Sequence, residues 1–331
     1  MSEHKPIDMR AKVSDETIRG VGPTVTVGET YAGPPKTLLQ DYAELFKLRV
    51  TSLVVLTSWT GVYMACAKTG TFSVGIFLKT MAGVWLVSAG AAAMNQVIEK
   101  DVDARMARTK DRPLPTKRMS MAHASAAAIL VTLAGSGILA FATNWITGLL
   151  ALSTMLVYCY IYTPLKKVTP HSTFVGAFPG SMAPVIGWMA VTGRFDLEAL
   201  ALFAILFFWQ FPHFLAIAWL YRDDYQRGGV RMLPVVDPDG KLTLLNILLY
   251  GAALVPISLA PYFLGMSGKI YLGGAVVLGL AYLGFGIRLA ALKLPPSAAM
   301  SKKPARHLLQ ASVVYLPLVL ILLAVDQTLG K

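Results

Sequence analysis

From residue 41 onward the chain alternates between long apolar runs and shorter polar stretches. The apolar runs fall at 48–67, 77–98, 120–142, 146–163, 173–192, 197–220, 242–265, 269–291 and 308–327. Each approaches the ~20 residues that a helix needs to cross a bilayer. The pattern predicts nine transmembrane helices, the fourth and ninth short, and an all-α polytopic membrane protein. Residues 1–40 contain no such run and are polar, with many Gly, Pro and Thr. No apolar segment follows their early charges, so they read as a flexible cytoplasmic tail rather than a signal peptide. The expected organisation is a tail over 1–40 and one transmembrane domain over 41–331.

Composition agrees with that pattern. The chain has 331 residues, 55% hydrophobic and 15% charged, with a mean hydropathy of +0.57, which excludes an ordinary soluble domain. A formal charge of +12 raises the question of nucleic acid. The basic residues, however, sit in short patches between apolar runs without interleaved aromatics, so no nucleic-acid partner is expected. Lipid headgroups and the positive-inside rule account for them. Of 30 Lys and Arg, 25 belong to the tail, the stretches 99–119, 164–172, 221–241 and 292–307, and the helix ends beside them. That asymmetry places the N-terminus inside and the C-terminus on the opposite side, which requires an odd number of spans. The two cysteines, Cys66 and Cys159, lie in or beside apolar runs without CxxC spacing, so neither a disulfide framework nor a thiolate metal site is expected.

Chemistry gathers at the cytoplasmic side, in the long polar loops. The stretch Asn95–Pro113, NQVIEKDVDARMARTKDRP, continues directly from the second span. Helical continuation stacks Asn95, Glu99 and Asp103 on one face, about one turn apart. Three oxygen-bearing side chains on one face suit a hard divalent cation, and Arg105, Arg108, Lys110 and Arg112 just beyond suit phosphate. A solvated helix end of mixed charge is the plain alternative. A second acidic pair, Asp223 and Asp224, follows the sixth span among Arg222, Arg227 and Arg231, with Gly228-Gly229 able to turn the chain sharply. Read as the C-terminus of that span, this position sets two carboxylates against the helix dipole, which disfavours a purely stabilising role. Two acidic clusters facing one cavity could hold Mg²⁺ ions bridging a diphosphate. Lys166 and Lys167 form a basic turn on the same side, suited to diphosphate or to membrane anchoring alone. Gly and Pro crowd the fifth span between Gly176 and Trp188, permitting close helix approach or a kink. His213, after Pro212 and well inside the sixth span, is either a histidine bonded to backbone or a group facing substrate or haem.

Asn95-x3-Glu99-x3-Asp103 with Arg108-Thr109 and Arg112-Pro113 resembles the first aspartate-rich motif of the UbiA superfamily of intramembrane prenyltransferases. Glu99 stands where members commonly carry Asp. The form NQxxExDxDARMxRT, with Tyr162-Thr-Pro-Leu-Lys166, His213-Phe214 and Tyr221-Arg-Asp-Asp-Tyr225 through Pro234, resembles the branch that farnesylates haem. The second motif of the wider superfamily is usually DxxxD, whereas here Asp223 and Asp224 are adjacent between tyrosines, and Asp224 is favoured as the acid that reaches metal.

The resemblance implies a UbiA-type helical bundle whose central cavity opens to the cytoplasmic side of a bacterial inner membrane. It implies Mg²⁺ held by Asn95, Glu99, Asp103 and Asp224, with Asp223 also in the catalytic set. Arg108, Arg112, Lys166, Lys167 and Arg222 would bind the diphosphate, and His213 would contact haem. Farnesyl diphosphate and haem B would be the substrates, within the lipid bilayer, and haem A synthase or oxidase assembly proteins the downstream partners. The alternatives are a different prenyl acceptor (an aromatic acid, a quinone precursor or a chlorophyllide), a transporter with a carboxylate-lined ion path, or an assembly factor that only binds haem.

Overall fold

The computed structural model describes residues 36–329, with side chains to 327; residues 1–35 of the tail expected over 1–40 lie outside them. A short helix, α1 (Leu38–Leu45), opens the described chain. Thr37 caps it in a reciprocal capping box with Gln40, which satisfies donors that would otherwise be orphaned. The boundary expected at residue 40 therefore falls inside a helix. Leu38 and Leu39 are exposed, while Arg118 binds Asp41 and Gln96 Nε2 donates to the Glu44 and Leu45 carbonyls. α1 is thus fastened to the bundle by these polar contacts and by Leu45, which is fully buried in the core.

The spans follow as α2 (Leu48–Thr69), α3 (Val74–Arg105), α4 (Met121–Ala142), and α5 (Trp145–Leu156). α5 runs through a π-helical turn (Val157–Tyr162) into α6 (Thr163–Leu165). The fifth span is α7 (Ser172–Gly180) plus α8 (Met182–Thr192), and the sixth is α9 (Leu197–Leu220). Two short helices, α10 (Arg222–Gly228) and α11 (Leu233–Val236), precede α12 (Lys241–Ile257), α13 (Ala260–Phe263), α14 (Lys269–Ala291) and α15 (Ala299–Leu329). Among the described residues nine helices are long and apolar enough to cross a membrane, and there is no strand.

Two expectations change. The fourth span covers Trp145–Leu165 and the ninth Ala299–Gln327, so neither is short. The sequence Ser301-Lys-Lys-Pro-Ala-Arg306 is polar, yet it already belongs to the helix, with Pro304 tolerated near its start. Lys302 points its ammonium at the Trp219 and Leu220 carbonyls, 3.1 and 3.4 Å away. There it meets the negative end of α9.

Small residues set the spacing, as the Gly/Pro-rich fifth span suggested. A Cβ on Gly61 would lie 2.0 Å from the Pro184 carbonyl oxygen, and one on Gly187 would lie 2.1 Å from that of Ser58. α2 and α8 therefore pack backbone to backbone. Contacts at the two ends sort the loops as the charge asymmetry required. At one end Arg231 N–H donates to the Lys166 carbonyl at 2.8 Å and Ala107 N–H to Asp224. At the other, Lys68 pairs with Glu198 and Asp326 accepts from the backbone N–H of Gly268 and Tyr271.

Candidate active site

The site is built on the last turns of α3. Asn95, Glu99 and Asp103 are all buried, because the helix continues past the apolar core and turns one polar face inward. Asn95 Nδ2 donates to Glu99 Oε2 at 2.8 Å and to Thr163 Oγ1 at 3.2 Å. Its Oδ1 accepts from Lys47 Nζ at 3.1 Å. Glu99 Oε1 meets Lys166 Nζ at 2.6 Å, and Asp103 Oδ2 meets Arg112 Nη1 at 2.8 Å. Asp103 Oδ1 is buried without a partner.

The second acidic pair divides. Tyr221 ends α9, and Asp223 and Asp224 stand in the first turn of α10. There the helix dipole favours them, contrary to the expectation that they oppose it. α10 stops at Gly229, whose φ of 72° is open to glycine at no steric cost. Asp224 is buried; its Oδ1 accepts from Ala107 N–H at 3.1 Å and pairs with Arg227. Asp223 has a side chain 65% exposed and pairs with its neighbour Arg222 at 3.2 Å. Only Asp224 faces the α3 end.

Of the expected basic residues, Arg112 and Lys166 touch the α3 acids directly. Arg108 is exposed, its guanidinium 4.9 and 5.4 Å above the Tyr221 and Tyr225 rings. Arg222 also donates to the Pro234 carbonyl at 3.1 Å, and Lys167 is exposed; neither touches the α3 acids. Lys47 and Thr163 were not singled out from the sequence, and Arg227 was noted beside the second acidic pair without being assigned to the site. Arg227 had a signal, three residues beyond Asp224. Lys47 had none, since it looks like any basic residue before a span. Yet Lys47 holds φ 47° and ψ 53°, a left-handed backbone that costs a non-glycine residue of order 1–3 kcal/mol and concentrates at functional sites.

Burial and the nearby Arg112 guanidinium push the Lys47 ammonium down to about 8, against the partial support of Glu99 and Asp103. Lys166 goes the other way. Burial disfavours its charge, but the Tyr162 oxygen and the Glu99 carboxylate outweigh that and hold it above an ordinary lysine.

Hard oxygens on α3 and α10 are the donor type that Mg²⁺ requires, and the unpartnered Asp103 Oδ1 is free to ligate, so the residues fit a divalent ion. Among the described residues no three acidic, imidazole or thiol groups converge on one point. The acids stand as Glu99 and Asp103 on one side and Asp224 across the 106–112 loop. An open cleft of about 610 Å³ lined by Trp59, Tyr63, Cys66 and Phe72 lies toward the other end of α2, away from these groups.

Residues 54–323 match the model of the UbiA prenyltransferase family. The chain belongs to that family. A UbiA relative named protoheme IX farnesyltransferase, from Koribacter versatilis (strain Ellin345), is 51% identical over 88% of this chain and 94% of its own length. A solved structure described as a digeranylgeranylglyceryl phosphate synthase shares the fold with a TM-score of 0.69 at 18% identity, covering 87% of this chain and 98% of that one. A UbiA homologue from Archaeoglobus fulgidus, bound to GPP and Mg²⁺, gives 0.57 at 17% identity over 86% of this chain and 99% of its own.

Proposed function

We propose that this UbiA-family protein transfers the farnesyl group of farnesyl diphosphate to a vinyl group of haem B, water then completing a hydroxyethylfarnesyl side chain to give haem O. The observation that carries the reading is the 51% identity to a protoheme IX farnesyltransferase across 88% of the chain and 94% of that relative. The same identity argues against a different acceptor, a transporter or a haem carrier.

Glu99, Asp103 and Asp224 each already have a cation beside them, and the chemistry exploits that pairing. Asn95, Glu99, Asp103 and Asp224 would hold Mg²⁺, which supplies charge neutralisation at the diphosphate oxygens. Lys166 and Arg112 can turn from carboxylate to phosphate, and Lys47 from the Asn95 amide oxygen, to stabilise charge that grows on the leaving diphosphate. Arg108, Lys167 and Arg222 form the outer basic rim. As the C1–O bond of the prenyl diphosphate breaks, the allylic cation must meet the vinyl carbon before water does, and apolar helix walls provide that exclusion. Phe207 and Phe211, buried against Phe174 and Phe178, supply one such wall. The charge asymmetry supports a cytoplasmic position for this end, N-terminus inside, and in this reading the membrane is a bacterial inner membrane. Haem A synthase or oxidase assembly proteins are the partners that would take the product.

The test is a turnover assay on the full chain in lipid with haem B, farnesyl diphosphate and Mg²⁺, read by product mass. A farnesylated, hydrated haem is expected, and it should vanish with chelator. Prenylation of a phenol but not of haem would sink the acceptor assignment. Lys47 adds a pH signature. With an ammonium at about 8 in the free protein, kcat/KM for the prenyl diphosphate should fall as pH rises through that value, since kcat/KM reports free-enzyme groups. Lys47→Arg keeps the charge and should remove the limb. A limb unchanged in the arginine variant would assign it elsewhere.

A further inference from the structure

The contact between α9 and α15 holds His213 in a more specific way than a wall residue needs. His213 Nδ1 lies 2.7 Å from Ser312 Oγ. Ser312 is fully buried, and its hydroxyl donates to the Leu309 carbonyl at 2.6 Å. A carbonyl only accepts, so the single hydroxyl proton is committed there and Oγ accepts from Nδ1–H. The imidazole is therefore the Nδ1–H tautomer, with its lone pair on Nε2. Trp209 fixes the ring plane: it stacks at 4.7 Å and 22°, while its own Nε1–H donates to the Ser312 carbonyl at 2.9 Å. The Phe214 ring meets the imidazole edge-on at 5.3 Å.

Nε2 has no hydrogen-bond partner, and it is not among the occluded atoms that lack one, so it is open to a ligand. A histidine that only tied α9 to α15 would need Nδ1 alone. It would leave a second polar nitrogen in an apolar span for no gain. A neutral imidazole whose far N–H is held by an oxygen acceptor is the arrangement that orients a metal-binding ring and raises its basicity.

We propose that His213 Nε2 is the axial ligand of the haem iron and that Ser312 is its positioning residue. The inference rests on the haem B reading and deepens it. Eight residues, roughly 12 Å of helix rise, separate His213 from Tyr221 at the acidic end. Iron ligation there pins the centre of the macrocycle within the bilayer and leaves its edge, which carries the vinyl groups, to meet the prenyl C1 near the diphosphate site.

The test titrates haem B into the full chain in lipid and records resonance Raman spectra of the dithionite-reduced complex. An iron–histidine band is expected, lost in His213→Gly and restored by added imidazole, which separates loss of the ligand from loss of the fold. Ser312→Ala should weaken haem binding by ~10- to 100-fold and shift the band, and Ser312→Thr should restore both. A band that persists in His213→Gly without imidazole, or Ser312→Ala with unchanged band and affinity, overturns the inference. Wild-type protein that farnesylates haem without showing the band also overturns it while leaving the acceptor reading intact. Protein that neither binds nor prenylates haem removes both.

Discussion

Asp103→Asn is expected to lower prenyl transfer by ~100- to 1,000-fold, the scale on which a single preorganised electrostatic group acts. The substitution keeps the volume and one acceptor oxygen for Arg112, 2.8 Å away, and removes only the charge. The oxygen that matters most is Oδ1, buried and unpartnered, since a side-chain oxygen in that condition is costly unless a ligand uses it. Glu99→Gln should lose a similar factor because Lys166 sits 2.6 Å from it. Asp103→Ala should be inactive too, but it strands Arg112, so thermal unfolding must be followed alongside turnover. An Asp103→Asn protein with wild-type turnover and melting temperature would remove the α3 acids from the chemistry.

The second large effect is an asymmetry between neighbours. Asp224→Asn should cost ~100-fold in kcat, whereas Asp223→Asn should stay within a factor of ~3, as an exposed ion pair contributes little. The geometry behind this is burial of Asp224 against the Ala107 N–H and the 65% exposure of the Asp223 side chain. Steady-state kinetics on the two variants in parallel is the measurement. Equal losses, or the reverse order, would mean that the α10 turn opens toward a different set of groups.

The same two regions show what the residues disclose and what they conceal. The spans and the shared face of Asn95, Glu99 and Asp103 were legible because each depends on local periodicity: hydropathy over twenty residues, or a four-residue repeat along one helix. Asp224 was favoured on resemblance, and its burial supports the choice. The reason first offered for its importance did not hold, because nothing in Leu220-Tyr-Arg-Asp announces that one helix ends and another begins at Tyr221. Lys47 reaches Asn95 across 48 residues of chain, and no local pattern encodes such a contact. Arg222 and Arg227 could not be ranked by sequence, since which of two arginines meets Asp224 depends on a rotation about α10. The ninth helix ran longer than its apolar stretch because a basic first turn stays helical while it reaches the interface.

The π-helical turn at Val157–Tyr162 sets the register of everything after it on the fourth span. A π-turn accommodates one residue more than the α-helix around it, and one α-helical residue corresponds to a rotation of about 100°. Below the turn, Met155 and Ala151 face the core; above it, Thr163 reaches Asn95 and Lys166 reaches Glu99. Closing the turn into a regular helix would swing both away from α3 while leaving the apolar stripe beneath it in place. The fourth span thus answers to two masters with one sequence, its lower half keyed to lipid-embedded packing and its upper half indexed to the reaction, and a single extra residue is the gear between them.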